Sequence, residues 1–196
     1  METWPAGRGI LRCHDGRFGA TEFNPGFGHG RFHPFRNLHG EVVPTLYGAN
    51  ALDGALSESI FHNVPVRRDG KAIRRSALTP MQVSTIAARR DLTLIQLHGH
   101  GLLRLGISRL ELIDSEARHY DRTVAWAAAL HARLEEADGL AWVSRKYDTS
   151  IALVLFGDRI ARTELEVVRP ALPLFLGEGF SEVQRIAEEA DVVILE

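Results

Sequence analysis

Two apolar runs, LAWVS at 140–144 and SIALVLF at 150–156, follow each other closely after the turn residues Asp138 and Gly139, and both read as buried strands. A third run, DLTLIQL at 91–97, lies upstream. Between it and the pair, Tyr120, Val124, Ala127, Ala128, His131 and Leu134 recur at helical spacing and predict a helix over about 119–136. Further strands are expected at ILRCH (10–14), PTLYGA (44–49), TELEVV and DVVIL, with SEVQRIAEEA a capped helix between the last two. Asn50 offers a side-chain cap to a helix in ALDGALSESIFHN (51–63). Thr79 and Pro80 have the form of a cap and first position for a short helix in MQVSTIAARR (81–90). Strands and helices thus mix without a regular βαβ rhythm. The expected class is α+β, a single domain with a mixed β core and flanking helices.

A chain of 196 residues is long enough to bury about 70% of the surface its unfolded form exposes. With 45% apolar and 24% charged residues and no run approaching the roughly 18 apolar residues of a membrane span, it reads as an ordinary soluble protein. METWPAGRGI lacks the cationic-then-apolar order of a secretory signal, so a cytoplasmic location is expected. A lone cysteine, Cys13, excludes an internal disulfide and a cysteine zinc cage. The net charge of −2 argues against direct nucleic-acid binding, and the basic stretch RRDGKAIRR (67–75) reads as a solvated loop.

The first 45 residues, rich in Gly, Phe, His and Pro, read as irregular apart from ILRCH. Within them GHGRFHPF (28–35) holds Arg31 in a loop where a cation is costly unless it meets an anion. Gly26, Gly28 and Gly30 are spaced GxGxG with neither a strand before nor a helix after, which is not a Rossmann fingerprint. His98 and His100 in LHGHG would point the same way on an extended strand, but no third ligand stands at suitable spacing and no metal is expected. Glu58 and His62 lie one helical turn apart on the helix after Asn50. Singly, Arg31 reads as a loop brace, Tyr47 as a core aromatic, Glu58 as a surface partner of His62 and Ser144 as a strand end.

Taken in order, the chain resembles the RES domain family, named for its Arg, Glu and Ser. The matching pieces are GRF (30–32), LYGA (46–49), ALSESIFH (55–62) against the family's "ALxExxxH", and the pair DGLAWVSR with VLFGDR within 138–159. Two departures stand out. Many members read GGRWN where this chain has HGRFHP, and many carry a tyrosine where Trp142 stands, two residues before the serine.

The resemblance implies an ADP-ribosyltransferase-like core at 30–196, with residues 1–29 an extension packed on it. It implies a toxin of a toxin–antitoxin pair that cleaves NAD at the nicotinamide–ribose bond and passes ADP-ribose to phosphate or water, or to a protein side chain. Arg31 and Glu58 would be catalytic, with Arg31, Tyr47, Ser144 and His62 binding NAD. Arg31 would clamp the pyrophosphate, for which a guanidinium fork is suited. Glu58 would stabilise the oxocarbenium-like sugar, as carboxylates do in glycoside cleavage. Tyr47 would wall the nicotinamide, Ser144 would bond the nicotinamide end or its ribose, and His62 would keep the carboxylate aimed. NAD is the substrate, and no metal is needed because cationic nicotinamide leaves readily. The partner implied is an Xre-type helix-turn-helix antitoxin, held with the toxin in a hetero-oligomer. A reading from another class is a non-catalytic module binding RNA or metal through the basic stretch or His98 and His100.

Overall fold

The computed structural model describes residues 1–65 and 70–196. The first half holds β1 (Glu2–Trp4), β2 (Ile10–Asp15), β3 (Thr45–Ala49), α1 (Leu52–Ser57), β4 (Ala72–Arg74), β5 (Met81–Ala88) and β6 (Leu92–Gln96). The second holds α2 (His100–Leu105), α3 (Arg109–Leu112), α4 (Tyr120–Arg133), β7 (Gly139–Val143), β8 (Ile151–Phe156), β9 (Leu165–Pro173), α5 (Gly177–Glu189) and β10 (Val193–Leu195). Eight strands form one sheet in the order β1-β6-β7-β8-β3-β2-β5-β9, a mixed α+β arrangement, and β10 and β4 form a separate parallel pair. Only β6 and β7 are parallel neighbours in the large sheet. The chain between them, carrying α2, α3 and α4, supplies the long crossover that parallel neighbours require.

The middle strands are covered on both faces. Ala152, Val154 and Phe156 of β8 join Ala127 and Leu130 of α4 in one core, while Leu153 and Leu155 face Trp4, Ile10 and Leu94 in another. A strand buried on both sides reads as a continuous apolar run, and β7 and β8 do. A third core packs Val183, Ile186 and Ala187 of α5 against Leu56 of α1 and Val83 of β5.

Several expectations are corrected. MQVSTIAARR is not a helix: β5 pairs with β2 along six residues and with β9 on its other edge. Helix propensity separates ordinary residues by no more than about 0.7 kcal/mol each, whereas burying side chains such as Val83 and Ile86 is worth about 1.5–3 kcal/mol apiece. Burial decides. The helix after Asn50 is short, ending at Ser57, and Asn50 does not cap it. Its Oδ1 instead accepts from Ser150 Oγ (2.7 Å) and Ile151 N (2.9 Å), tying the start of α1 to β8. β6 ends at Gln96, so His98 and His100 do not share a strand face: α2 starts at His100, and His98 Nε2 meets Glu2 Oε2 at 3.0 Å. Of the basic stretch, residues 67–69 lie outside the described residues, and Ala72–Arg74 is β4, paired to β10. The final long helix begins at Gly177, ahead of the expected Ser181. β1 at the sheet edge was not expected.

Candidate active site

α1 is driven against β8 because Gly54 carries no side chain. A Cβ there would stand 1.9 Å from Ser150 Oγ, so the close approach demands glycine. The approach delivers Glu58, the residue just after α1, to the start of the β7–β8 connection. Glu58 Oε1 accepts from Ser144 Oγ (2.7 Å) and from the Arg145 backbone N–H (3.0 Å). Its other oxygen, Oε2, lies 3.9 Å from His62 Nδ1, beyond hydrogen-bond reach. Although α1 has ended, tight turns keep His62 beside Glu58, with Phe61 N–H donating to Leu56 O and His62 N–H to Ser59 O. The carboxylate is therefore held by one edge with the other left open.

His62 Nε2 is hydrogen-bonded to the Tyr120 hydroxyl at 2.9 Å. Burial is the main influence on His62 and lowers its pKa, only partly opposed by Glu58, so the imidazole is neutral at pH 7. Tyr120 also presents its ring to Arg31, whose guanidinium carbon lies 5.2 Å from the ring centroid. Arg31 is only 4% exposed. Its Nη1 donates to Leu112 O (3.2 Å), Ser115 O (3.2 Å) and Ser115 Oγ (2.9 Å), while Nη2 is buried without a partner.

The glycine-rich loop around Arg31 is locked through Tyr47. Phe32 N–H donates to the Tyr47 hydroxyl at 3.0 Å, and His33 Nδ1 lies 3.2 Å from it. His33 Nε2 faces the Phe27 carbonyl at 3.3 Å and so carries the proton; burial keeps the ring neutral, and Nδ1 accepts from Tyr47. The Tyr47 hydroxyl is thus fully committed to the loop, and burial pushes its pKa up. What Tyr47 offers a ligand is its ring.

Arg31, Tyr47, Glu58 and His62 line one cavity of about 310 Å³, together with Tyr120 and Trp142. Ser144 does not: it is fully buried behind Glu58, and its hydroxyl also accepts from the backbone N–H groups of Lys146 (3.2 Å) and Tyr147 (3.1 Å). Five buried side-chain polar atoms lack a partner among the described residues, and three of them, Arg31 Nη2, His62 Nδ1 and Trp142 Nε1, belong to this cavity's lining. Buried polar groups are otherwise almost always bonded, so this concentration sets the cavity apart from the rest of the described residues. Tyr120 and Ser115 are the contributors that sequence reading missed. Tyr120 carried only the signal of a helical apolar position, and Ser115 carried none.

The RES domain family model matches residues 10–176. The chain belongs to the RES domain family. No curated protein matches it significantly. Among solved structures, this RES domain is similar to a chain in the crystal structure of the M. tuberculosis MbcT–MbcA toxin–antitoxin complex. The TM-score is 0.63 at 17% identity, covering 93% of this chain and 91% of the other. Among its described residues, no three His, Cys, Asp or Glu side chains gather in a group that could hold a metal ion, and no helix is long and apolar enough to cross a membrane.

Proposed function

We propose that this RES domain is the toxin of a toxin–antitoxin pair and cleaves NAD at the nicotinamide–ribose bond, passing ADP-ribose to phosphate or water. The observation that carries the reading is that two residues lining one cavity bring an unpartnered guanidinium nitrogen and a carboxylate oxygen left open. NAD joins an anionic pyrophosphate to a ribose that becomes cationic when its base leaves. Arg31 Nη2 meets the first and Glu58 Oε2 the second.

As the bond from the ribose anomeric carbon to the pyridinium nitrogen breaks, its electron pair neutralises the ring and positive charge develops on the sugar. A carboxylate already fixed in the cavity stabilises that charge with no reorganisation at the moment of reaction. Ser144 and the Arg145 N–H hold the carboxylate in place. Neutral His62 stands beside it and does not add a competing cation. The acceptor then attacks the open face of the sugar. A helix-turn-helix antitoxin would silence the toxin by covering this cavity, a reading supported by the toxin–antitoxin complex in which the similar fold occurs.

Incubation of the purified protein with NAD, with and without inorganic phosphate, tests both activity and acceptor. Free nicotinamide is expected in both, with ADP-ribose 1″-phosphate formed only when phosphate is present. Glu58→Gln, which keeps the Ser144 contact, is expected to slow release at least about 100-fold, the scale of losing one preorganised electrostatic group. Release at the wild-type rate by Glu58→Gln would overturn the assignment.

A further inference from the structure

Trp142 is a cavity residue that the proposed chemistry leaves unused, and it replaces the tyrosine common in the family at this position. Its indole is 2% exposed, and Nε1–H is bonded to nothing among the described residues. Phe32 stands edge-on at 5.1 Å between centroids and Tyr47 at 6.1 Å, offering aromatic faces that are at best weak acceptors. The hydroxyl of Tyr47 is itself committed to Phe32 and His33. A buried N–H donor without a partner carries a desolvation cost that a ligand acceptor would relieve.

The three unpartnered atoms, each on a residue that lines the cavity, differ in chemistry. Arg31 Nη2 is cationic and suits a phosphate. His62 Nδ1 lies beside Glu58, where the sugar and the acceptor meet. Trp142 Nε1 is a neutral donor on a ring that packs against Phe32 and Tyr47, and a neutral acceptor on a flat ring suits such a site. Resting on the reading of the cavity as an NAD site, we infer that Trp142 is the specificity-determining residue for the leaving base, its indole N–H donating to the carboxamide oxygen of nicotinamide while Tyr47 walls the ring. The family's tyrosine could not reproduce this bond from the same place, because a phenol hydroxyl sits at the far tip of its ring and an indole N–H on the flank.

The test compares three substrates on the wild type and on Trp142→Phe: NAD, its 3-acetylpyridine analogue, which keeps the carbonyl oxygen, and its thionicotinamide analogue, which replaces that oxygen with a poor acceptor. Comparing each substrate between the two proteins cancels differences in leaving-group reactivity. Trp142→Phe is expected to lower kcat/KM for NAD and the acetylpyridine analogue about fivefold to tenfold, the range for one neutral hydrogen bond, and to leave the thio analogue nearly unchanged. An equal loss for all three would mean a packing role only and would overturn the inference, as would no loss for any.

Direct titration with free nicotinamide separates this inference from the functional reading on which it rests. If the wild type cleaves no NAD yet binds nicotinamide more tightly than Trp142→Phe does, the reading fails and the donor role stands. If neither protein binds nicotinamide, both fall. Should Trp142→Phe not fold, the wild type alone decides: nicotinamide and 3-acetylpyridine must bind about fivefold more tightly than thionicotinamide, and equal affinities would refute the donor role.

Discussion

Ser144→Ala is the substitution that most sharply tests how this site is built. The serine is fully buried, its hydroxyl donates to Glu58 Oε1 at 2.7 Å, and it accepts from the Lys146 and Tyr147 N–H groups. A hydrogen bond to a charged group contributes about 1.5–3 kcal/mol, and the two backbone donors lose an acceptor inside the fold. The Arg145 N–H remains on the same carboxylate oxygen, so the loss is partial, and we expect about 2 kcal/mol of destabilisation. For a domain of this size that lowers Tm by about 4–8 °C. The carboxylate, held by one bond instead of two, should wander enough to lower kcat about 10- to 100-fold, because misplacing a catalytic group by about 1 Å has that consequence. KM for NAD should hardly move, since the hydroxyl faces away from the cavity. Thermal unfolding and initial rates of nicotinamide release measure both. A raised KM with kcat intact would refute the reasoning, for it would mean that Ser144 touches substrate directly.

Three further outcomes follow from the geometry. Gly54→Ala places a methyl group inside contact distance of Ser150 Oγ and should cost about 1–3 kcal/mol in urea unfolding; an unchanged midpoint would show that α1 can back away from β8. His14, His33, His62 and His131 all have pKa values lowered chiefly by burial, so near pH 6 the unfolded chain binds more protons than the native one. Unfolding free energy should therefore be full above the ordinary histidine pKa of 6.5 and fall as pH drops through it, with a lower urea midpoint at pH 5.5 than at pH 7.5; equal midpoints would contradict this. Burial pushes the Cys13 thiol up to about 11, so at pH 8 the native protein should react with an aromatic disulfide about 100-fold more slowly than the urea-unfolded chain, and equal rates would show an open thiol.

The parts of the fold that could be read from sequence are those whose burial is nearly complete. SIALVLF is apolar at almost every position because two cores claim alternate residues, and α4 announces itself because Ala127, Leu130 and His131 return to one face. β5 was illegible for the opposite reason. Thr79–Pro80 is a good helix start, and what overrules it is pairing with β2, some 70 positions upstream, and β9, some 80 downstream, neither of which leaves a trace inside MQVSTIAARR. The site divides along the same line. Arg31, Tyr47 and Glu58 stand in short ordered motifs, whereas Tyr120 matters through contacts with His62 and Arg31, 58 positions away in the first case, and no window of sequence contains both ends.

Ser144 shows how far a motif carries and where it stops. Its place two residues after Trp142 matches the family's serine, and a strand continued through it would send the two side chains to the same side. Yet the strand ends at Val143, and the turn that follows wraps the Lys146 and Tyr147 N–H groups onto the Ser144 hydroxyl, pulling it behind the carboxylate and away from the cavity. Trp142, still within the ladder, stays on the wall. One residue of strand thus separates a side chain on the cavity wall from one that reaches the cavity only through its bond to Glu58. On the proposed chemistry the Ser144 bond would matter as much as the open oxygen, because a carboxylate oxygen can face a transient cation only while the other oxygen is held.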